Sequence, residues 1–379
     1  MRHRLASTTL GITVLLLGTH AIFAEQFGRT SYVKAATPRP YAVVTADFDN
    51  DGNLDIACTD FYRGEVSILL GNGNGTFQAP IKFSAPSAIA LAVGDFNNDG
   101  LPDLVVVEFG GTGTGALGLF LGTGNGHFRN SANYNVGIQP YSVAVGDFDG
   151  DGKLDVAVAD SNQDSKHGDV RVFMGTGKGT LKAPTIYPVK GAPFGIAAHD
   201  LNRDSFPDLA VTQETAGSVA VLLNDGTGKF LAPVSYSAGG GEVVDVKVAD
   251  LRSNGDQDLV VANLSRGMVV LLNKGNGTFG KPTIYVATCH NCQGPEACVA
   301  ADFNLDGNLD VACATNIDDS YFFYGDGKGK FGPAIPINDT INLNGGYSIA
   351  AGDFNNDKAP DLAIPIELKG KVAILLNTQ

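Results

Sequence analysis

Residues 47–57 read DFDNDGNLDIA, with carboxylates at Asp47, Asp49, Asp51 and Asp55 just ahead of an apolar run. Like charges at this spacing repel, so a chain that holds them together must offset them with something positive or spend them on local hydrogen bonds. The stretch recurs as DFNNDGLPDLV from Asp95, DFDGDGKLDVA from Asp147, DLNRDSFPDLA from Asp200, DLRSNGDQDLV from Asp250, DFNLDGNLDVA from Asp302 and DFNNDKAPDLA from Asp353. Successive copies start 48 to 53 residues apart. A period of this length marks repeated copies of one supersecondary unit.

Each copy has the same interior. An alternating run such as YSVAVGDF (141–148) enters the acidic loop and a second, LDVAVAD (154–160), leaves it. A third run, such as SVAVLLN (218–224), precedes a glycine turn of the GNGNGTF type (71–77) and a looser fourth run. Period-two alternation with tight Gly and Asn turns predicts four antiparallel strands per unit. Seven such units without a helical period predict an all-β, seven-bladed β-propeller over residues 25–379. The seventh unit stops after its third strand, KVAILLN (371–377), while the segment from Phe27 matches a fourth strand with no unit of its own. The N-terminal strand is therefore expected to complete the last blade and remove the open edge.

The 379 residues are 44% apolar with 49 Gly and no Trp, a globular and turn-rich composition. A formal charge of −14 without Lys or Arg clusters argues against nucleic acid as a partner. Residues 1–24 carry Arg2 and Arg4 ahead of an apolar stretch, with small residues at Ala21 and Ala24, the layout of a cleaved signal peptide. Its most apolar part, Leu10 to Phe23, has 14 residues, short of the roughly 20 that span a bilayer. The expectation is an exported chain, periplasmic or extracellular, with no membrane span.

Counted from the first Asp, six of the seven loops place oxygen-bearing side chains at positions 1, 3, 5 and 9, often with Gly at 6. A hard divalent cation such as Ca²⁺ takes about six to eight oxygens, one commonly from a backbone carbonyl at position 7. The expected ligands are Asp47, Asp49, Asp51, Asn53 and Asp55 in blade 1; Asp95, Asn97, Asp99, Leu101 and Asp103 in blade 2; and Asp147, Asp149, Asp151, Lys153 and Asp155 in blade 3. Blade 4 offers Asp200, Asn202, Asp204, Phe206 and Asp208, blade 6 Asp302, Asn304, Asp306, Asn308 and Asp310, and blade 7 Asp353, Asn355, Asp357, Ala359 and Asp361. Blade 5 has Arg252 at position 3 and Asn254 at position 5, so the arginine is expected to replace the ion there. Phe48, Phe96, Phe148, Phe303 and Phe354 at position 2 are expected to turn into the core. Asp and Asn are also common in ordinary turns, but six copies with the same four positions favour metal. Six divalent ions would bring a formal −16, after loss of Arg2 and Arg4, to about −4.

The frame D-[FL]-x-x-x-x-x-x-D-[LIV], the glycine turns and the pairs Phe27-Gly28, Phe279-Gly280 and Phe331-Gly332 resemble the FG-GAP or VCBS repeat family, which includes the propeller domains of integrin α chains. The resemblance covers nearly all of the chain after the signal segment. It implies a propeller and Ca²⁺, but not an activity, because the family holds adhesion modules as well as accessory domains of enzymes.

Cys58, Cys298 and Cys313 stand where other units have Val, Leu or Ile, so they are expected as buried aliphatic substitutes. Cys298 and Cys313 fall on neighbouring strands, near enough for a bond to remain open. Cys289 and Cys292, in CHNC, favour a local disulfide over a metal site with His290. No nucleophile motif accompanies His127, His167, His199 or His290, and GTGKGT (175–180) matches the repeated hairpin turn, not a phosphate loop. The segments most open to a partner leave the face opposite the acidic loops: Phe61 to Arg63, 110–115, Ser161 to His167, Arg266 and Cys289 to Cys298. The expected role is non-catalytic binding or adhesion toward a protein or glycan. The alternative is a propeller-type polysaccharide lyase or hydrolase, which would gather polar side chains at the axis.

Overall fold

The second strand of each unit is apolar on both faces, as it must be if each sheet packs against a sheet on either side. In blade 3, for example, Pro140–Gly146, Asp155–Asp160, His167–Phe173 and Thr185–Lys190 pair antiparallel in chain order, and every residue of Asp155–Asp160 is buried. The computed structural model describes residues 27–379 except 36–38, 112, 163–166, 288–293, 317–319, 338–342 and 344. The proposed signal segment, Cys289, His290 and Cys292 lie outside the described residues.

Seven four-stranded sheets form the chain, and the innermost strands of successive sheets touch all the way round, from Pro40–Ala46 to Ala350–Gly352 and back. The apolar core is accordingly divided into layers between neighbouring blades. One layer joins Ile68 and Val66 of blade 1 to Leu104, Val106 and Phe120 of blade 2. The ring closes as the sequence leads one to expect: Phe27–Lys34 pairs antiparallel with Lys371–Asn377, from Phe27 opposite Asn377 to Lys34 opposite Lys371. Phe27 meets Phe303 and Phe322 edge-on, with ring centroids 6.0 and 6.1 Å away, and so ties the first described strand to the core between blades 6 and 7. Among the described residues the helical turns are two short 3-10 segments, Glu214–Ala216 and Glu367–Lys369.

The acidic loops are bolted to this ring by the aspartate at position 9. Asp55, Asp103, Asp155, Asp208, Asp258, Asp310 and Asp361 are each at most 1% exposed. Asp55 accepts the Phe48 N–H on Oδ2 and the Gly71 N–H on Oδ1, both at 2.6 Å. Asp155 does the same with Phe148 at 2.8 Å and Gly175 at 2.7 Å, and Asp208 with Leu201 at 2.9 Å and Asn224 at 2.7 Å. One carboxylate thus fixes the loop's second residue and the end of the third strand. That second residue is buried in every loop: Phe48, Phe96, Phe148, Leu201, Leu251, Phe303 and Phe354. Its carbonyl also receives the next blade, through Gly75 to Phe354 at 2.8 Å, Gly179 to Phe96 at 2.9 Å, and Asn224 Nδ2 to Phe148 at 2.8 Å.

Cys298 and Cys313 sit opposite each other in the strand ladder and form a disulfide, while Cys58 is buried with a free thiol. The expectation of three aliphatic substitutes holds for their burial; two of them are also covalently joined.

Two substitutions separate ring closure from loop anchoring. Phe27→Ala removes a buried ring and should cost about 3–5 kcal/mol, read as a lower urea midpoint, with self-association as the closing strand loosens. Asp155→Asn places an amide N–H against one of two backbone donors and should cost about 1.5–3 kcal/mol. The exposed Asp51→Asn should leave the calcium-free midpoint within about 0.5 kcal/mol of the parent.

Candidate metal loops and axial mouth

All seven loops share one backbone shape. The position-1 aspartate accepts the N–H of position 5 on Oδ1 and that of position 6 on Oδ2, as in Asp47 with Asp51 at 3.0 Å and Gly52 at 2.8 Å, and equally in blade 5, Asp250 with Asn254 at 3.1 Å and Gly255 at 2.7 Å. The position-7 residues expected to lend a carbonyl are held through their N–H on the position-5 carboxylate: Asn53, Leu101, Lys153, Phe206, Asn308 and Ala359, at 2.8–3.0 Å. Position 6 takes a left-handed φ even where it is Ser205 or Lys358, and so does position 4, where Arg203 and Leu305 stand. The bend at position 4 was not anticipated from the sequence, because no glycine marks it in most copies.

The side chains divide the loops into three kinds. In blades 1 and 3, carboxylate oxygens of Asp47, Asp49 and Asp51, and of Asp147, Asp149 and Asp151, lie within 4.8 Å of one another, a donor set that could hold a metal ion. Burial and the adjacent Asp51 raise Asp49 above the usual carboxylate range, as uncompensated crowding requires. Lys153 pairs with Asp151 and lowers that group instead. In blades 2, 4, 6 and 7 position 3 is Asn, and its amide N–H donates to the position-5 carboxylate: Asn97 to Asp99 at 2.8 Å, Asn202 to Asp204 at 2.8 Å, Asn304 to Asp306 at 3.0 Å, Asn355 to Asp357 at 2.7 Å. These loops carry one negative charge fewer among positions 1, 3 and 5.

Blade 5 is the third kind. Arg252 donates from Nε to Asp258 Oδ2 at 3.1 Å and from Nη2 to Asp258 Oδ1 at 2.8 Å, and also reaches the Asn273 carbonyl at 2.7 Å and Asp256 at 3.4 Å. Arg203 crosses from the blade 4 loop to Asp256 at 2.7 Å and the Asn254 carbonyl at 2.6 Å. Guanidinium charge therefore lies among the blade 5 carboxylates. Burial pushes the position-9 group up in every blade, Asp258 included although Arg252 opposes it, and to about 6 for Asp55, Asp103, Asp155, Asp208 and Asp310 and about 7 for Asp361. Backbone donors oppose that shift without cancelling it. Position 9 works first as a structural anchor, with one acceptor direction per oxygen already used.

The opposite face has a different chemistry. The first strands begin there, with Tyr41, Tyr141 and Phe194 at the start of three of them and Tyr347 just ahead of the strand Ala350–Gly352. Tyr41 stacks on Tyr347 with centroids 4.7 Å apart, and Tyr141 on Phe194 at 4.2 Å. Phe61 and Phe109, from the loops between second and third strands, extend the set, with Phe109 5.5 Å from Tyr141 and 5.9 Å from Phe61. Tyr41, Tyr141, Tyr347, Phe61 and Phe109 line a mouth of about 200 Å³, next to an axial cavity of about 180 Å³ that is lined by Phe194, Glu296 and the Asp245–Lys247 pair. Of this set the sequence reading singled out Phe61 alone. The signal it passed over is the recurring Pro-aromatic step at the unit start, Pro40-Tyr41, Pro140-Tyr141 and Pro193-Phe194.

Six overlapping stretches, residues 47–106, 95–158, 147–211, 200–261, 250–313 and 302–364, match the family model for the FG-GAP-like repeat. Among solved structures the chain is similar to a lectin of Agrocybe aegerita, described as specifically recognising non-reducing terminal N-acetylglucosamine, at 18% identity over 88% of this chain and 87% of that one, with a TM-score of 0.58. It is similar also to the BP39L lectin of Burkholderia pseudomallei, at 14% identity over 87% of this chain and 94% of that one, TM-score 0.63. A third likeness is to BBS1N, solved in complex with ARL6DN, at 13% identity over 93% and 98% of the two chains, TM-score 0.60. At these identities the likeness is one of fold. A search of curated proteins found no match. Because the repeat matches run from residue 47 to residue 364, the chain belongs to the FG-GAP-like repeat family.

Proposed function

We propose that this is an exported, calcium-stabilised propeller that binds a protein or glycan on the face opposite its acidic loops. The observation that carries the binding reading is the aromatic mouth itself, where Tyr62, 61% exposed on a loop between second and third strands, stands among Tyr41, Phe61, Phe109, Tyr141 and Tyr347. Open aromatic clusters on otherwise polar surfaces mark interaction sites. Structural relatives described as recognising a sugar or as complexed with a protein support the same reading. The enzymatic alternative calls for reactive polar groups at the axis. There Asp245 is engaged by Lys247 at 3.0 Å and the remaining walls are chiefly aliphatic and aromatic, with Glu296 the one further acid among the lining residues, which favours binding.

Calcium would be held most strongly in blades 1 and 3, where three carboxylates converge, and less strongly in the four Asn-bearing loops. Blade 5 would take none, since Arg252 and Arg203 already supply the positive charge. Its role would be to hold each loop in shape, not to take part in chemistry. Export is supported by the N-terminal pattern and by the Cys298–Cys313 disulfide, a bond that persists in oxidising compartments. Among the described residues no helix is long and apolar enough to cross a membrane.

With affinities of roughly 0.1–1 mM, 10 mM Ca²⁺ should add about 1.4–2.7 kcal/mol per site. The melting temperature should therefore rise clearly above its value in EDTA, and the rise should shrink in the Asp49→Asn, Asp149→Asn double variant. Identical melting curves in calcium and EDTA would contradict the metal reading.

The pH response should change sign with calcium. A position-9 carboxyl raised from 3.8 in the unfolded chain to about 6 in the fold stabilises fully below the unfolded value and loses that contribution as pH rises through about 6. Calcium-free protein should therefore melt higher at pH 5 than at pH 7.5. The stabilisation added by calcium should fall over the same acidification, as protons compete with the ion. Differential scanning calorimetry at the two pH values, with and without calcium, reads both.

A further inference from the structure

We infer that the axial mouth is a saccharide subsite that takes one neutral pyranose ring at the end of a glycan. The inference rests on the binding reading above and narrows it to a place and a ligand class. Size comes first. The mouth and the cavity beside it, about 200 and 180 Å³, approach the low end of small-ligand sites, roughly 300–1,000 Å³.

Shape comes second. The walls include flat rings on the innermost strands, Tyr41 braced by Tyr347 and Tyr141 by Phe194, and these stacked pairs are formed before any ligand arrives. A pyranose offers such rings an apolar C–H face and offers hydroxyls at its edge. The polar groups at the site, Glu367 at the rim and Glu296 in the cavity, accept hydrogen bonds from hydroxyls, and carboxylate acceptors make the stronger kind.

Charge decides between a sugar and an organic cation, which aromatic walls also attract. Arg39 lies over Tyr62 at 4.3 Å and 3.5 Å from Glu367, so the rim carboxylate already has a positive partner from its own chain. Asp245 has Lys247 at 3.0 Å. Glu296 has no such partner among the described residues, but burial followed by Glu242 pushes it up to about 7, leaving it near half-protonated at neutral pH. Two of the three acids lining the mouth and cavity are paired and the third is partly protonated, so the site carries only a fraction of a net negative charge, which favours an uncharged polyol over a cation.

Calorimetric titration of the full chain with methyl glycosides of glucose, galactose, mannose and N-acetylglucosamine, alongside tetramethylammonium, tests this. At least one glycoside should bind, and Phe109→Ala and Tyr41→Ala should weaken it about ten-fold, the effect of losing roughly 1.4 kcal/mol of ring contact. Tyr41→Phe keeps the stack and should weaken it less. Lys190→Ala, in the crevice between blades 3 and 4, should leave it unchanged, and far-ultraviolet circular dichroism checks that each variant is folded. Glycoside binding that survives the axial changes and is lost with Lys190→Ala would overturn the axial assignment while leaving the binding reading intact. Tetramethylammonium binding where no glycoside binds would overturn the ligand class. No binding of any glycoside, with a protein partner captured through Phe109, would overturn the sugar inference and leave the protein branch of the broader reading.

Discussion

A carboxylate sealed from solvent at the ninth position of each acidic loop is the constraint on which the rest of this propeller depends. Asp155 and its six counterparts each receive a backbone N–H from the end of the third strand, and in most loops another from position 2. One side chain thereby sets the corner between two strands and the seat of the next blade. Burial of a charge is tolerated only with partners. Burial raises the carboxyl, to about 6 for Asp155, and its two N–H donors oppose that rise without cancelling it. The shortage of positive charge is then built into the fold, once per blade.

The blades meet that shortage in different ways. Blade 5 uses Arg252, whose two-pronged contact with Asp258 places a guanidinium within the carboxylate set. Blades 2, 4, 6 and 7 reduce the demand with an Asn amide at position 3. Blades 1 and 3 keep three converging carboxylates, with Asn53 and Lys153 offering only peripheral donors to the position-5 group. The gradation leaves loops of one backbone shape with unequal negative charge, and under the proposed metal reading with unequal affinity for a cation.

Most of the fold was legible in the sequence because the acidic frame is periodic and each copy is flanked by alternating runs. Seven blades, the closing strand from Phe27, the inward position-2 residues and the arginine in blade 5 all followed from that spacing. What was not legible came from relations the spacing does not encode. Arg203 and Leu305 adopt left-handed backbone because the loop's N–H donors converge on one aspartate, a demand local propensity does not announce. The position-9 aspartate reads from sequence as one more ligand, and its work as a backbone anchor shows only when strand ends are placed in space. The stacked axial pairs Tyr141–Phe194 and Tyr41–Tyr347 are far apart along the chain, and the second meets only because the ring closes.

The two faces are thus mechanically distinct. The acidic rim holds corners in place, and the opposite mouth presents rings whose positions those corners fix. The most direct measurement of the central claim is a count of ions per chain by equilibrium dialysis against millimolar ⁴⁵Ca, for the parent and for Arg252→Asn. The account predicts up to six ions on the parent, the tightest pair lost when Asp49 and Asp149 are neutralised, and one additional ion when the guanidinium is removed. A parent chain that binds no calcium, with Arg252→Asn equally empty, would contradict it.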